Sequence, residues 1–167
     1  VRSKMENPYF KQNVLMPDWM KNFSCLAEKC PQTCCRGWNI PVDPAHAAFY
    51  QSLPDIELRE KTQHATRVVR RKQGKNTETL RFLNLLAQPD QTCMLLTETG
   101  NCSLQESLGA YALCDTCFFF PREFWRIGNC WSMSASLSCP EVRTLGLARR
   151  QPITFSCIET LVDPDAD

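Results

Sequence analysis

Cys30-Pro31-Gln32-Thr33-Cys34-Cys35 is the stretch on which the fold turns. Cys25 stands just ahead of it, and Cys93, Cys102, Cys114, Cys117, Cys130, Cys139 and Cys157 follow. Eleven cysteines in 167 residues exceed the needs of packing. A free cysteine packs as a small apolar residue, and its chemistry decides whether it is kept. Either oxidised sulfurs staple the chain or thiolates hold a metal. An odd number leaves a thiol outside any complete set of intramolecular disulfides. Adjacent Cys34 and Cys35 would be strained as a mutual bridge. Residues Val1 to Lys21 carry Arg2, Lys4, Lys11, Asp18 and Lys21, without the apolar segment and small-residue cleavage site of a secretory signal. The expectation is a cytoplasmic, reducing setting, where clustered cysteines point to metal binding.

The length suits one domain, or one with a small appendage. Short elements punctuated by proline imply that a metal helps to hold the core together. A net charge of +1 gives no general argument for nucleic acid or an anionic membrane, and no apolar run is long enough to span a bilayer. Arg59, Lys61, Arg67, Arg70, Arg71, Lys72 and Lys75 form a local basic excess against Glu60 alone. They read as a solvated helix face in preference to a docking patch for an acidic partner, and the lack of an aromatic residue among them weakens a single-stranded nucleic-acid reading.

Residues 1–24 read as an irregular N-terminal arm anchored by Tyr9, Phe10, Trp19, Met20 and Phe23. Residues 25–150 form the cysteine-rich domain, and 151–167 a C-terminal tail that begins a further segment. Asp43-Pro44 is a helix start, with an N-cap and proline at the first helical position. Pro54-Asp55 opens a basic helix toward Lys72, ending in a loop at Gln73-Gly74. Thr79 to Leu85 alternates as a short strand. Ser103-Leu104-Gln105-Glu106 is a capping box, placing Cys102 just before a helix toward Leu113. Trp131 to Ser138 alternates apolar residues with serine, giving a strand paired through a turn at Ile127-Gly128-Asn129. Pro140 starts a last helix. The fold class expected is mainly α with a short β-hairpin or small sheet, irregular and organised around the metal.

Thiolate-rich sites select zinc, copper(I) or iron–sulfur clusters because soft ligands suit them. Cys34, Cys35, Cys93, Cys102, Cys114 and Cys117 fall in loops and at helix starts, where amides stabilise negative sulfur. Only Cys114-Asp115-Thr116-Cys117 has the knuckle spacing of a zinc ribbon. The spacing is also wrong for bacterial ferredoxin, and for radical chemistry on S-adenosylmethionine, because Cys35 follows Cys34 at once.

Several ordered blocks resemble the flagellin lysine-N-methylase family. They are Cys30 to Asp43, Cys93-Met94-Leu95-Leu96, Gly100-Asn101-Cys102-Ser103-Leu104-Gln105, Cys114 to Arg122, and Leu137-Ser138-Cys139-Pro140-Glu141. The likeness spans roughly residues 15 to 150 and extends more distantly to cysteine-rich domains described as zinc- or iron-chelating. It implies a methyltransferase that moves a methyl group from S-adenosylmethionine to lysine ε-amines of flagellin and carries an iron–sulfur cluster, with zinc as the alternative metal. The chelating domains' ordered cysteines match Cys30, Cys34, Cys35, Cys93, Cys102 and Cys117. A four-iron cluster takes four thiolates. Cys34, Cys93, Cys102 and Cys117 are the first choice, with Cys30, Cys35 and Cys114 competing. Cys25, Cys130 and Cys157 read as packing thiols, and Cys139 is intermediate.

The six glycines are isolated from one another, so no glycine-rich turn supports a doubly wound cofactor fold. Any S-adenosylmethionine site is unconventional or lies on other chain. Lysine methylation needs a neutral amine and a proton acceptor, and aromatic walls suit the lysine stem. Tyr111, Asp115 and Glu141 are candidates for catalysis, and Trp38, Trp125 and Trp131 for a channel. Both histidines, His46 and His64, read as solvent-facing. A non-enzymatic metal-binding or electron-carrying module is the alternative function, and a redox sensor a third.

Overall fold

The computed structural model describes residues 7–73, 76–83 and 90–162. In chain order the elements are β1 (Phe10–Pro17), β2 (Ile40–Pro41), α1 (Pro44–Gln51), α2 (Ile56–Ala65), β3 (Thr66–Gln73), β4 (Asn76–Leu83), α3 (Ser103–Leu108), α4 (Asp115–Phe119), β5 (Arg122–Ile127), β6 (Cys130–Ala135), α5 (Pro140–Leu147) and β7 (Phe155–Val162). Short 3-10 turns occur at Asp18–Asn22, Ala27–Lys29 and Ala110–Ala112. Helix and strand occur in comparable amounts and build two sheets, so the mainly α expectation is overturned. Gly74 and Lys75 of the expected loop and basic run, Asn84 and Leu85 of the expected strand, and residues 1–6 and 163–167 of the arm and tail lie outside the described residues. No helix among the described residues is long and apolar enough to cross a membrane.

The chain divides into two compact units, one of Val1–Asn7 and Thr33–Phe118, the other of Pro8–Gln32 and Phe119–Asp167. In the first, the sheet order is β2-β4-β3. The β3–β4 pairing replaces the basic helix expected to reach Lys72. The helix stops at Ala65, and Thr66, Val68 and Val69 continue as a strand opposite Leu83, Arg81 and Leu80. β-Branched residues favour an extended ladder once a partner strand exists, and that pairing outweighs local helix propensity. Arg67 accordingly lies over the Phe82 ring at 5.1 Å, and its guanidinium donates to Asn39 Oδ1 at 2.7 Å.

Helices α1 and α2 start as the sequence dictates. Asp43 accepts from the His46 amide at 2.9 Å, with Pro44 in the first turn, and Asp55 accepts from the Leu58 amide at 3.0 Å. Helix α3 is shorter than expected because Gly109, at φ 92° and ψ 177°, takes a conformation that side-chain-bearing residues avoid. The core of this unit joins Ile40, Tyr50, Leu53, Leu95 and Leu104 to Cys93 and Cys114. Each fully buried leucine contributes about 1.5–3 kcal/mol relative to exposure. Cysteine here is part of the core rather than decoration on its surface.

The second unit is a four-stranded sheet ordered β5-β6-β1-β7. The expected irregular arm supplies β1, its interior strand, parallel to β6 and antiparallel to β7. The hairpin of β5 and β6 closes through Gly128 at φ 61°, a left-handed value suited to glycine. Val14, Met16, Phe124, Met133 and Val162 form the buried face, whereas Leu15, Trp125, Ile127 and Phe155 are exposed. Helix α5 passes close to Trp19 at Gly146, where an added Cβ would come within 3.3 Å of the indole.

Candidate metal centre

None of the eleven cysteines is joined in a disulfide. Thr33–Phe118 holds Cys34, Cys35, Cys93, Cys102, Cys114 and Cys117, the six singled out for their loop and helix-start positions. Three chain segments deliver them. Cys35 and Cys93 are tied backbone to backbone, the Cys93 amide donating to the Cys35 carbonyl at 2.8 Å, beside a bridge between Arg36 and Thr92. Cys102 occupies the N-cap of α3. The Ser103 amide and hydroxyl both donate to the Leu95 carbonyl, at 2.8 and 3.0 Å, and fold the loop back under the helix. Cys114 precedes α4 and Cys117 lies within it.

These sulfurs feel one another. Burial pushes the Cys93 thiol up to about 12, and Cys35, Cys102 and Cys114 add to the effect. Burial likewise raises Cys102, with the amides of Gln105 and Leu104 pulling the other way and Cys35 and Cys114 reinforcing the rise. Cys117 donates its S–H to Cys114, which favours the thiolate at Cys114 and holds the proton on Cys117. Cys35 is lowered to about 7 by a hydrogen bond from Cys34; burial opposes this and Thr33 assists it. Tyr50 is raised by burial and then by Cys114, Cys117 and Cys102, and its hydroxyl donates to the Ala112 carbonyl at 2.8 Å. Thiols packed into one core resist ionising together unless a cation compensates them. That donor set suits a thiolate-held metal: Cys35, Cys93, Cys102, Cys114 and Cys117 supply five soft donors for a centre that needs four.

Not every expected ligand is equally placed. Cys34 is exposed, and its carbonyl accepts the Trp38 indole N–H at 2.6 Å. Cys35, one of the competing ligands from the sequence, is the member of the pair that senses Cys93, Cys102 and Cys117. Cys30 belongs to the other unit, and its Sγ donates to the Gln32 carbonyl at 3.2 Å. Cys25, Cys130, Cys139 and Cys157 are also there.

Of the catalytic candidates, Tyr111 stacks on Phe118 at 5.6 Å between centroids. Asp115 begins α4, and its Oδ1 lies 3.5 Å from His46 Nδ1. Glu141 is in the first turn of α5, in the other unit. Trp125 and Trp131 lie there as well, whereas Trp38 stands beside Cys34.

His64 is exposed, as expected, but His46 is not: only 1% of it is accessible. Nδ1 lies 2.8 Å from Asp43 Oδ2, and Nε2 lies 3.1 Å from the Tyr111 carbonyl. Burial alone would raise the Asp43 carboxyl, but the His46 ring, the His46 amide and the Asp115 amide bring it down to about 2. The Asp43–His46–Asp115 group went unread in the sequence. Its signal was Asp43-Pro44-Ala45-His46, a capping aspartate followed three residues later by a side chain able to donate back to it.

A cavity of about 150 Å³ lies between Tyr50, Gln51, Thr62, Thr66, Val68 and Arg81. Small-molecule sites usually measure about 300–1,000 Å³, so it does not fit S-adenosylmethionine.

Comparison with known proteins adds relatives at 32% identity over 129 residues, or 77% of the chain. One is the flagellar biosynthetic protein FliU of Salmonella muenchen, of which the match covers 73%. Two others are the lysine-N-methylases of Salmonella choleraesuis and Salmonella typhimurium, of which it covers 31%. The match thus spans less than a third of the methylases' length. No family model matches the chain, and no solved structure does.

Proposed function

This chain belongs to the flagellin lysine-N-methylase family, and from that premise we propose that it is the cysteine-rich part of a protein lysine methyltransferase. The substrate is flagellin, the methyl donor is S-adenosylmethionine, and the resident cofactor is a four-iron, four-sulfur cluster. The observation that carries the cluster is the gathering of Cys35, Cys93, Cys102, Cys114 and Cys117 around one core.

The arrangement favours a cluster over a single zinc ion. Zinc–sulfur bonds of about 2.3 Å in a tetrahedron bring ligand sulfurs within about 4 Å of each other. Among the described residues, no three cysteine sulfurs approach within 4.8 Å of one another; the group that does comprises Asp43, His46 and Asp115. A cluster spreads its thiolates over several irons. When bound, it supplies a one-electron couple and links the segments carrying Cys35, Cys93, Cys102 and the Cys114–Cys117 turn. The chain's own part is to hold Cys93 and Cys114 buried in the core with Tyr50 and Leu104, and Cys35, Cys102 and Cys117 partly buried against it. Tyr111, Asp115 and Glu141 do not line the cavity described above, and no methyl-transfer step is assigned to them.

The test is to incubate reduced, cluster-loaded protein with labelled S-adenosylmethionine and purified flagellin, then map peptides by mass. Methyl-lysine formed by this chain supports the enzyme. A fully loaded protein that binds no donor supports the second reading, a metal-binding or electron-carrying module.

A further inference from the structure

Helix α1 grips the stretch ahead of the last two sulfurs at three points. His46 Nε2 donates to the Tyr111 carbonyl at 3.1 Å, the Tyr50 hydroxyl donates to the Ala112 carbonyl at 2.8 Å, and Asp43 Oδ2 accepts from the Asp115 amide at 3.1 Å. Cys114 lies inside this grip, and Cys117 follows one turn later. Around the His46 ring, Nδ1 faces Asp43 Oδ1 and Oδ2 at 2.9 and 2.8 Å and Asp115 Oδ1 at 3.5 Å. Each ring nitrogen therefore faces acceptors. A neutral imidazole has one N–H and would set a lone pair against an oxygen, whereas an imidazolium donates from both sides. Burial opposes that charge, but Asp43, the Tyr111 carbonyl and Asp115 outweigh it and raise the histidine's pKa. The charge is felt at Cys114, where His46 favours the thiolate.

We propose that His46 is a positioning residue of the metal centre: a buried imidazolium, donating from both ring nitrogens, that fixes the Cys114–Cys117 turn against α1 and biases the centre toward its reduced state. The proposal rests on the iron–sulfur reading given above. Reduction adds negative charge to the centre, so a fixed cation nearby favours the reduced form and a fixed anion disfavours it. Asp43 and Asp115 are the counter-charges that make burial of the cation tolerable. A divalent ion in the same group would instead need Nδ1 as a lone-pair ligand.

The experiment uses the full chain reconstituted without oxygen as wild type, His46→Gln and Asp115→Asn. The midpoint potential is followed by electron paramagnetic resonance, and iron release to a chelator is timed. His46→Gln should lower the reduced-to-oxidised ratio at a fixed potential at least threefold, about 28 mV on the scale of about 59 mV per tenfold change for one electron. Asp115→Asn should shift it the opposite way, and both variants should release iron faster. Opposite shifts are what a charged clamp produces and general loosening does not. If His46→Gln fails to load, His46→Asn takes its place with the same expected shift. Variants matching the loaded wild type, shifts of one sign, or an additional divalent ion lost in His46→Gln would each overturn the role of His46. A wild type that takes up neither iron nor sulfide would instead bring down the cluster reading beneath it.

Discussion

Replacing Asp43 with alanine removes three bonds at once. Its carboxylate accepts from the His46 amide at 2.9 Å, from His46 Nδ1 at 2.8 Å and from the Asp115 amide at 3.1 Å. Loss of an N-cap costs about 1 kcal/mol. A hydrogen bond to a charged group contributes about 1.5–3 kcal/mol, and an amide left unpaired in a site this enclosed costs about 1–3 kcal/mol more. These contributions share one carboxylate and do not add fully, so about 4 kcal/mol is expected. For a chain of this length, about 2–4 °C of melting temperature accompanies each kcal/mol, giving a fall of roughly 8–16 °C. Asp43→Asn keeps an acceptor and a good cap but loses the charge facing His46, so it should fall about half as far. Scanning calorimetry of the three proteins in the same metal state measures this. Two variants melting within about 2 °C of wild type would show that Asp43 does not join α1 to the Tyr111–Asp115 stretch.

Gly109→Ala should destabilise by about 1–3 kcal/mol through backbone strain alone, since no atom lies within 4 Å of the Cβ it would add; a denaturant midpoint checks this. Asp18 is held well below the usual carboxylate range by Lys21, then Ser156 and Thr154. A depressed folded-state pKa gives stability that is present above the unfolded value of about 3.9 and lost as pH falls toward the folded one. Denaturant melts from neutral pH down to about pH 3 should therefore show a shallower acid loss in Asp18→Asn than in wild type. Among the sulfurs, serine at Cys35, Cys93 or Cys102 should cut the bound metal sharply, serine at Cys34 less, and serine at Cys157 hardly at all, as read by metal analysis per chain. Equal loss from all five would show that core placement does not select ligands.

The elements readable in the sequence were those with local signals. Asp43-Pro44 and Asp55 mark helix starts through their own side chains, and Ile127-Gly128-Asn129 marks a hairpin through one left-handed glycine. Cys102 reads as a position just before a helix because Ser103 to Glu106 spell a cap; the cap itself proves to be Cys102, with the Ser103 hydroxyl turned to Leu95. The strands that were missed depend on distant partners. β1 becomes a strand because β6 and β7 flank it, β7 because β1 lies beside it, and β3 because β4 returns along Thr66 to Gln73. No short-range pattern in Phe10 to Pro17 states that pairing. His46 was misread for a similar reason: its burial depends on Tyr111 and Asp115, which are remote in the chain and close in space. Cys34 and Cys35 cannot be ranked from sequence at all, because adjacent residues differ there only in which way they face the core.

The most direct test of the central claim is the content of iron, acid-labile sulfide and zinc in the full chain, purified and reconstituted without oxygen. A centre held by Cys35, Cys93, Cys102 and the Cys114–Cys117 turn predicts about four irons and four sulfides per chain, with the visible absorption of a four-iron cluster. One zinc per chain, with neither iron nor sulfide, would contradict it.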